Sequence, residues 1–508
     1  MTGLASPRQV NSTDQAVPPS IVDAIRDVVG AANVRTGEDA GAIDLGSNGA
    51  DCDAGIVVAP LSTGEVAAVV RICRQNEIPI VPQGGKTGLV GGSVSRPGEV
   101  VLSMTRMNRI ERLDPVERVA VVGAGVTLEA LQEAAREYRL EPGIDLAARG
   151  SATIGGMVST NAGGVMAFRN GVMRHRLLGL EAVLADGSVY SDLTRVVKNS
   201  AGYDLKHLFI GAEGTLGVIT RAVVKLDPLP RASATALFGL PSVEAALRTI
   251  RLALESDAGH LRAAEAMWNS YFGLAAAAHE WSEPGVPLDH PLFLLLSLGG
   301  AREEALREDF ERIYSEVMEH YPEATGIVAA SRRQEDDLWR LREDTSVLYR
   351  AHPHAPSFDV SVPLSEIAVY LERILPGLAA IEPGLAPYVF GHLADGNLHI
   401  ILNRKGPLGL DMAEAVEGVL YQQLRQIGGS FSAEHGVGSK RIHSLLATAD
   451  PTKLAVMERV KRVLDDQSVM NPDKVLPCDA WFVRSSRPSH SGSERRLPFK
   501  NVSDLTDE

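Results

Sequence analysis

Cysteine is scarce in this sequence, and long apolar runs are missing from it. The 508 residues include three cysteines, Cys52, Cys73 and Cys478, which form neither a C-x-x-C pair nor an even disulfide set. No apolar run approaches the ~20 residues that a membrane span requires, and the N-terminus lacks a basic segment that leads into an apolar stretch. We therefore expect a soluble protein of the reducing cytoplasm with no transmembrane segment.

An excess of positive charge is also lacking. The net charge of -14 argues against broad binding to nucleic acid, which requires clustered Lys and Arg residues. The composition, 45% hydrophobic and 22% charged, is that of an ordinary globular protein. Because single hydrophobic cores stop growing at roughly 250–300 residues, a chain of this length should form two or three packed units.

Strand and helix patterns are mixed along the chain, which predicts the α+β class. Strands are expected at 55–60, 78–82, 100–104 and 118–126, a helix from about 128 to 138, and a hairpin at Asp186-Gly187. After the Asp-Pro-Leu-Pro stretch at 227–230 the pattern becomes helical around 243–254, 302–319 and 333–350, and again at 411–427 and 451–466. We expect units at 19–230, 231–433 and 434–483, with disordered tails at 1–18 and 484–508.

One glycine motif resembles a dinucleotide-binding fingerprint but lacks its third glycine. In VVGAGVTLEA at 121–130, Leu128 stands where that glycine is required. We interpret this segment as a simple turn from a strand to a helix. The missing motif argues against a nicotinamide dinucleotide as the electron acceptor.

Three other segments are denser in glycine and small residues. They are PQGGKTGLVGGS at 82–93, ARGSATIGGMVSTNAGG at 148–164 and FIGAEGTLGVIT at 209–220. Glycine lets backbone N–H groups bend around an anion and lets a flat ligand lie against the main chain. One such stretch would indicate only a tight loop, but three in one unit predict a large cofactor that carries phosphate.

Histidines and a carboxylate form a second set of candidates. FGHLADGNLHI at 390–400 places His392 and His399 on either side of a turn, and SAEHGVGSK at 432–440 adds Glu434 and His435. Two histidines and a glutamate suit a divalent cation. A lone histidine is more often a core or surface residue, and spacing alone does not bring Glu434 to the histidines.

Together these segments, with KNSAGYDLKHLFIGAEGTLG at 198–217, resemble the FAD-binding enzymes of the vanillyl-alcohol oxidase type, in the branch of D-lactate and D-2-hydroxyglutarate dehydrogenases. The resemblance covers roughly residues 50–478. It implies a two-part FAD-binding domain at 19–230, an α+β substrate (cap) domain at 231–433, and a helical C-terminal segment at 434–483 that completes the active site.

The same resemblance implies a set of FAD-binding residues. They are Pro82, Gly84, Gly85, Lys86, Thr87, Gly88, Ser151, Thr153, Gly155, Gly156, Ser159, Asn161, Gly163, Glu213 and Ile219. Of these, Glu213 and Ile219 should fall near the adenosine end. Lys86 and Met157 depart from the family pattern, which usually has Asn at both positions. Because no histidine lies in the 82–93 loop, where covalent attachment is commonest, we expect non-covalent FAD.

For the second set, the resemblance implies a metal site and a proton acceptor. His392, His399 and Glu434 match the family's metal ligands, with zinc as the first candidate, and His435 matches its catalytic base. Arg342 and Ser346 match substrate-binding positions. Without the resemblance, Arg342 in WRLREDTS would be read as part of a surface ion pair on a charged helix.

The leading hypothesis is therefore an FAD-dependent dehydrogenase that oxidises a D-2-hydroxy acid, an oxidoreductase acting on CH–OH donors. Its reduced flavin would pass electrons to an unidentified acceptor, an electron-transfer protein or a quinone. An oxidase that uses oxygen, a flavin subunit that only relays electrons and a carbon–oxygen bond exchange enzyme are the alternatives. The sequence leaves the oligomeric state open, with a homodimer as one option.

Substrate choice is predicted from two departures from the hydroxyglutarate enzymes. Those relatives have a Lys where PSFDVSVP places Ser357, and a polar Asn in the stretch where Ile400 and Ile401 follow His399. A second carboxylate is hard to bury without a cation. We expect a monocarboxylate such as D-lactate or a longer apolar analogue, unless Arg350 or Lys405 supplies the charge.

Overall fold

The structure is a computed structural model that describes residues 16–41, 54–404, 406 and 408–478. Almost all of both predicted tails, Cys52 and Lys405 lie outside the described residues. Within the part described, no helix combines the length and the apolar character that a membrane span requires. The mixture of helices and strands confirms the predicted α+β class.

The first sheet contains four short strands in the order β1-β2-β4-β3. Its elements are α1 (Pro19–Val29), β1 (Val34–Thr36), α2 (Glu38–Gly41), β2 (Ile56–Val58), α3 (Thr63–Gln75), β3 (Ile80–Gln83) and β4 (Val100–Ser103). Strands β2 and β3 both run parallel to β4, which lies between them. The helix α3 begins at the N-cap Ser62 and buries Val66, Val70 and Cys73 against this sheet. The strands predicted at 55–60 and 78–82 are therefore present as β2 and β3, and α3 connects them.

The second sheet contains five antiparallel strands in the order β5-β6-β10-β8-β9. Its elements are β5 (Ile110–Asp114), β6 (Val119–Gly123), α4 (Leu128–Arg136), β7 (Leu140–Glu141), α5 (Ile154–Thr160), α6 (Ala167–Asn170), α7 (Met173–Arg176), β8 (Leu177–Val183), β9 (Val189–Asp192), α8 (Lys206–Phe209), β10 (Val218–Lys225) and β11 (Asp227–Pro228). Strand β11 pairs with β7 outside the sheet. The turn from β6 to α4, capped by Thr127, and the hairpin at Asp186-Gly187 both match the sequence prediction.

The third sheet has seven strands in the order β15-β12-β14-β13-β17-β18-β16. Its elements and the following helices are β12 (Ala232–Leu240), α9 (Val243–Leu254), β13 (Gly259–Trp268), α10 (Asn269–Ala278), β14 (Leu292–Gly300), α11 (Glu303–His320), β15 (Thr325–Val328), α12 (Arg332–Glu343), α13 (Ser346–Ala351), β16 (Ser357–Ser361), α14 (Ile367–Ile381), β17 (Pro387–His392), β18 (Asn397–Leu402), α15 (Leu410–Tyr421), α16 (Ile442–Thr448) and α17 (Pro451–Leu464).

Two helix predictions need correction. The expected helix at 333–350 is two helices, because Asp344 ends α12 and its carboxylate accepts a hydrogen bond from the backbone N–H of Ser346 at the start of α13. The expected helix at 411–427 ends at Tyr421, and Gln423 then takes a left-handed conformation with φ 65°.

The third sheet has a core of apolar side chains on each of its faces. The candidate site residues of this sheet lie on one of these faces. Along β18, Leu398 and Ile400 belong to one core, whereas Ile401 belongs to a second core on the opposite face. Because side chains alternate along a strand, His399 shares the face of Ile401. A polar site is therefore embedded in an apolar face of this sheet.

Candidate active site

A cavity of about 360 Å³ lies between the glycine-rich segments. The predicted FAD-binding residues line it, except Ser151 and Asn161. The amide oxygen of Asn161 accepts a hydrogen bond from the backbone N–H of Arg174 instead. Met157 also lines the cavity, so the departure from the family pattern lies at the predicted site.

The glycines of the 82–93 loop allow a close approach between two segments of main chain. A Cβ atom on Gly85 would lie 1.8 Å from the carbonyl oxygen of Ser151, and one on Gly84 would lie 2.2 Å from Oγ1 of Thr153. Only glycine fits these two positions. The ammonium of Lys86 is buried beside them with no hydrogen-bond partner among the described residues. A cradle of backbone and one unpaired cation fit a phosphate-bearing ligand.

Glu213 connects this cavity to the loop that follows Glu434. Its two carboxylate oxygens accept hydrogen bonds of 2.8 Å from the backbone N–H groups of Val437 and Gly438. The side chain is buried, and burial raises the pKa of Glu213 above its ordinary value. Sequence reasoning assigned Glu213 only to the cofactor, whereas the structure also gives it a part in holding the loop at residues 433–438.

A second cavity, of about 210 Å³, adjoins the first. Leu89, Leu146, Ala147, Glu434 and His435 line both of them. The other predicted residues on its wall are Arg342, His392, His399, Ser357 and Ile401. The candidate substrate-binding and metal-binding residues are therefore brought together beside the candidate cofactor cavity.

Three imidazole rings surround one carboxylate oxygen in this second cavity. Oε1 of Glu434 lies 3.6 Å from Nε2 of His399 and 3.9 Å from Nε2 of both His392 and His435. The rings of His399 and His435 are stacked, with centroids 5.7 Å apart. Ligand atoms of Glu434, His399, His435 and Asp359 lie within 4.8 Å of one another and could hold a divalent cation, whereas His392 is not part of this group.

Asp359 on β16 holds the 433–438 loop from the other side. Its Oδ2 accepts hydrogen bonds from the backbone N–H groups of Ala433, Glu434 and His435 at 2.9–3.1 Å. Its Oδ1 accepts a bond of 2.7 Å from the amide of Asn397. Burial alone would raise the pKa of Asp359, but the neighbouring imidazoles and the backbone donors lower it well below its ordinary value. Sequence reasoning missed this residue.

Nδ1 of His399 and Nδ1 of His435 both face Asp359, at 3.5 Å and 3.7 Å from its carboxylate oxygens. The Nε2 atoms of the same two rings face Glu434. Burial lowers the pKa of His435 below its ordinary value, which favours the neutral ring. Asp359 therefore sets the orientation of two of the three imidazoles.

Glu265 on β13, which is fully buried, joins the histidines to Arg342. One of its oxygens lies 2.7 Å from Nδ1 of His392, and the other forms an ion pair of 2.7 Å with Nε of Arg342. Burial disfavours the charged ring of His392, but the Glu265 carboxylate outweighs it and raises the pKa of His392 to about 9. Sequence reasoning missed Glu265 as well. The available signal was a single carboxylate within the apolar strand LRAAEAMW.

Arg342 lies inside the fold rather than on its surface. Its guanidinium carbon lies 5.0 Å from the centre of the Phe390 ring. The other predicted substrate residue is not brought to this cavity, because the exposed Ser346 hydroxyl donates to Asp344 and accepts a hydrogen bond from Arg350. Its neighbour Thr345 lines the cavity instead.

Comparison with known proteins links both halves of this site to flavoenzymes. Residues 54–192 match a family described as "FAD binding domain", and residues 229–475 match "FAD linked oxidases, C-terminal domain". The D-2-hydroxyglutarate dehydrogenase of Xanthomonas citri pv. viticola is 36% identical over 428 residues, which cover 83% of this chain and 89% of that protein. The enzyme of the same name from Stutzerimonas stutzeri is 31% identical, over 90% of this chain and 99% of its own length.

Solved structures support the same fold at lower identity. A p-cresol methylhydroxylase matches with a TM-score of 0.68 and 18% identity, covering 91% of this chain and 98% of its own. An alkyldihydroxyacetonephosphate synthase matches with a TM-score of 0.67 and 15% identity, covering 92% and 86%. These two likenesses concern the fold alone. The two family matches and the sequence relatives show that the chain belongs to the family of FAD-linked oxidoreductases that includes the D-2-hydroxyglutarate dehydrogenases.

Proposed function

We propose that this protein oxidises a D-2-hydroxy acid to the corresponding 2-oxo acid. The observation that carries the proposal is the convergence of three imidazoles and Arg342 on a cavity that adjoins the candidate FAD site. The residues that line the larger cavity would hold FAD, which would supply a hydride acceptor there. The domain division at 19–230, 231–433 and 434–483 is consistent with this proposal, since the first and third units line the first cavity and all three units line the second.

Arg342 is the group proposed to bind the substrate carboxylate. Its Nε is engaged by Glu265, and no described residue accepts a hydrogen bond from its two terminal nitrogens. A guanidinium fixed in this way can present two parallel N–H groups to a carboxylate. The ion pair with Glu265 and the contact with Phe390 limit its rotation.

His392, His399 and Glu434 are proposed to hold a divalent cation, with zinc as the first candidate. Both of these imidazoles have an oriented Nδ1, because Glu265 faces that of His392 and Asp359 faces that of His399. Bound there, the cation would act as a Lewis acid that lowers the pKa of a substrate hydroxyl. Nε2 of His435 is then the atom that accepts the hydroxyl proton.

Anaerobic flavin bleaching with a panel of D- and L-2-hydroxy acids tests the function. We expect loss of the flavin absorbance with D-isomers, slower loss after chelator treatment, and recovery on adding back zinc. His399→Ala should also slow the loss of absorbance, and His443→Ala is its matched control, because the His443 ring lies outside both cavities. The FAD content of each variant is measured first. Absence of bleaching with every hydroxy acid would refute the proposal.

Two further measurements address the cofactor and the acceptor. Acid precipitation should release intact FAD into the supernatant, because the 82–93 loop contains no histidine for attachment. Flavin that stays with the pellet would contradict this expectation. Reoxidation of the reduced flavin by oxygen should be slow beside reoxidation by a quinone or an electron-transfer protein, which distinguishes a dehydrogenase from an oxidase.

A further inference from the structure

The wall of the second cavity is an ordered array of side chains on one face of the third sheet. In the first row, Glu265 on β13 lies opposite His392 on β17. In the second row, His399 on β18 lies between Phe390 on one side and Asp359 on the other. These two rows hold the carboxylates of Glu265 and Asp359 and the imidazoles of His392 and His399.

A third row continues the same face and differs in character. Ile401, two residues beyond His399 on β18, lies opposite Tyr388 on β17 and Ser357 on β16. Since a strand rises about 3.3 Å per residue and side chains alternate, this row lies about 6.6 Å from the second row on the same face. Ile401 and Ser357 line the cavity, and Tyr388 is hydrogen-bonded to His352 at 3.0 Å. The third row therefore carries no charge.

The position of Arg342 gives the cavity a direction. Arg342 is paired with Glu265 in the first row, on the opposite side of His399 from the third row. A carboxylate bound by Arg342 thus leaves the rest of the substrate free to extend past His399 toward Ile401 and Ser357. Groups beyond the α-carbon meet a surface built from one branched alkyl side chain and one small hydroxyl.

The charges of the lining residues are unfavourable to a second anion. Among the described residues on this wall, Arg342 is the single Lys or Arg, whereas Glu265, Glu343 and Glu434 are acidic. Arg350, the Lys or Arg residue nearest to Ser357 in sequence, is exposed and contacts Ser346 and Asp344 outside the cavity. A carboxylate in the third row would lose its hydration without gaining a cation among these residues.

The apolar surface points the same way. Besides Ile401, the cavity is lined by Leu89, Leu146, Val165, Trp339, Tyr349 and Phe390. At that end, burial raises the pKa of Tyr349 above its ordinary value, and the neighbouring Ser357 hydroxyl offsets part of this rise. An uncharged alkyl or aryl chain buried against this apolar surface brings no charge that requires a partner.

We infer that the substrate is a D-2-hydroxy monocarboxylate with an uncharged side chain, and that Ser357 and Ile401 are the residues that exclude a second carboxylate. The inference rests on the proposed function, since it concerns the substrate of that same site. It assigns Arg342 to the 1-carboxylate and the third row to the chain beyond the α-carbon. The Arg342 end of the cavity then matches the carboxylate of the substrate, and the apolar end matches its uncharged side chain.

The test compares kcat/KM for D-lactate, D-2-hydroxybutyrate, D-2-hydroxyisocaproate and D-2-hydroxyglutarate with the full-length, FAD-loaded protein. We expect the best monocarboxylate to exceed D-2-hydroxyglutarate by about tenfold or more, because the dicarboxylate leaves one charge unpaired. D-2-hydroxyglutarate should also be a weak competitive inhibitor of monocarboxylate oxidation. This second measurement requires no variant.

Ser357→Lys is the matched gain-of-charge variant, and Ser357→Met introduces similar bulk without charge. We expect Ser357→Lys to raise the ratio of kcat/KM for D-2-hydroxyglutarate to that for D-2-hydroxybutyrate by about tenfold or more, and Ser357→Met to leave this ratio unchanged or lower. Retained FAD and an unchanged circular dichroism spectrum establish that each variant folds.

The possible outcomes distinguish failure of the inference from failure of the proposed function. A wild-type preference for D-2-hydroxyglutarate, with clear oxidation of hydroxy acids, would overturn the inference and leave the proposed function standing. Equal ratios in the Lys and Met variants would remove Ser357 from its assigned role and also overturn the inference. If no hydroxy acid reduces the flavin, the proposed function fails and the inference fails with it.

Discussion

Asp359→Asn is the substitution that tests most directly how the active site is held together. The carboxylate is fully buried and accepts four hydrogen bonds, three from the backbone of residues 433–435 and one from Asn397. An asparagine has nearly the same shape but carries no charge and replaces one acceptor oxygen by an NH₂ group. The substitution therefore removes charge and acceptor capacity with little change in volume.

The expected magnitude follows from these four bonds. Hydrogen bonds to a charged acceptor contribute about 1.5–3 kcal/mol each, compared with about 1 kcal/mol for neutral pairs. Weakening of the three backbone bonds by about 0.5–2 kcal/mol each, together with loss of the bond from Asn397, should lower the free energy of unfolding by about 3 kcal/mol or more. Because Nδ1 of His399 and of His435 both face this side chain, we also expect flavin reduction to slow about tenfold to a hundredfold.

The assay combines urea unfolding, followed by circular dichroism and flavin fluorescence, with anaerobic stopped-flow reduction at saturating substrate. Asp395→Asn is the control, because this nearby half-buried carboxylate accepts one long bond of 3.3 Å from the backbone of Asn397. It should slow reduction less than about twofold. If Asp359→Asn unfolds at the wild-type urea concentration and reduces flavin at the wild-type rate, the assigned role of Asp359 is wrong.

Three further predictions concern an ion pair, a glycine and a cysteine. Glu265→Gln leaves the Arg342 guanidinium without its carboxylate partner, so it should lower the free energy of unfolding by about 3 kcal/mol or more. It should also raise KM more than it lowers kcat. An unchanged KM would contradict the role of this ion pair. In a urea titration of the apoprotein, Gly85→Ala should lower the free energy of unfolding by more than about 2 kcal/mol, because its Cβ would overlap a carbonyl oxygen. Gly88→Ala is the control, because its Cβ would meet no atom within 4 Å, and it should change this free energy by less than about 0.5 kcal/mol. Burial raises the pKa of Cys73 to about 12, so almost no thiolate forms at pH 8. Mass spectrometry should therefore find Cys73 unlabelled by iodoacetamide until urea is added. Rapid labelling of the native protein would contradict this prediction.

Features that depend on local sequence were predictable. The 82–93 loop, the turn before α4 and the hairpin at Asp186-Gly187 all follow from glycine content and from the strand patterns beside them. The histidines on β17 and β18 were found because a short turn brings them together. In each case the interacting residues lie close in sequence, so the pattern contains the information.

Features that depend on long-range pairing were not predictable from these patterns. Glu265 lies 127 residues from His392, and Asp359 lies 75 residues from Glu434. Each is one carboxylate in an otherwise ordinary strand, and only the order of strands in the third sheet brings it to the histidines. The break at Asp344 was missed because its cause is a side-chain bond to the start of the next helix, which helical periodicity does not register.

The loop at residues 433–438 has a consequence for how the enzyme is made. It is anchored by Glu213 from the second sheet's side and by Asp359 from the third sheet, and the chain after it returns to the first sheet, where Ile80 pairs with Met470. The segments that line the large cavity leave the ribosome well before this loop does. During synthesis, the growing chain therefore passes through a stage in which much of the cofactor cavity can fold while His435 and Glu434 are still absent. On the proposed function, a chain truncated before residue 433 would lack Glu434 and His435 and should therefore fail to reduce its flavin.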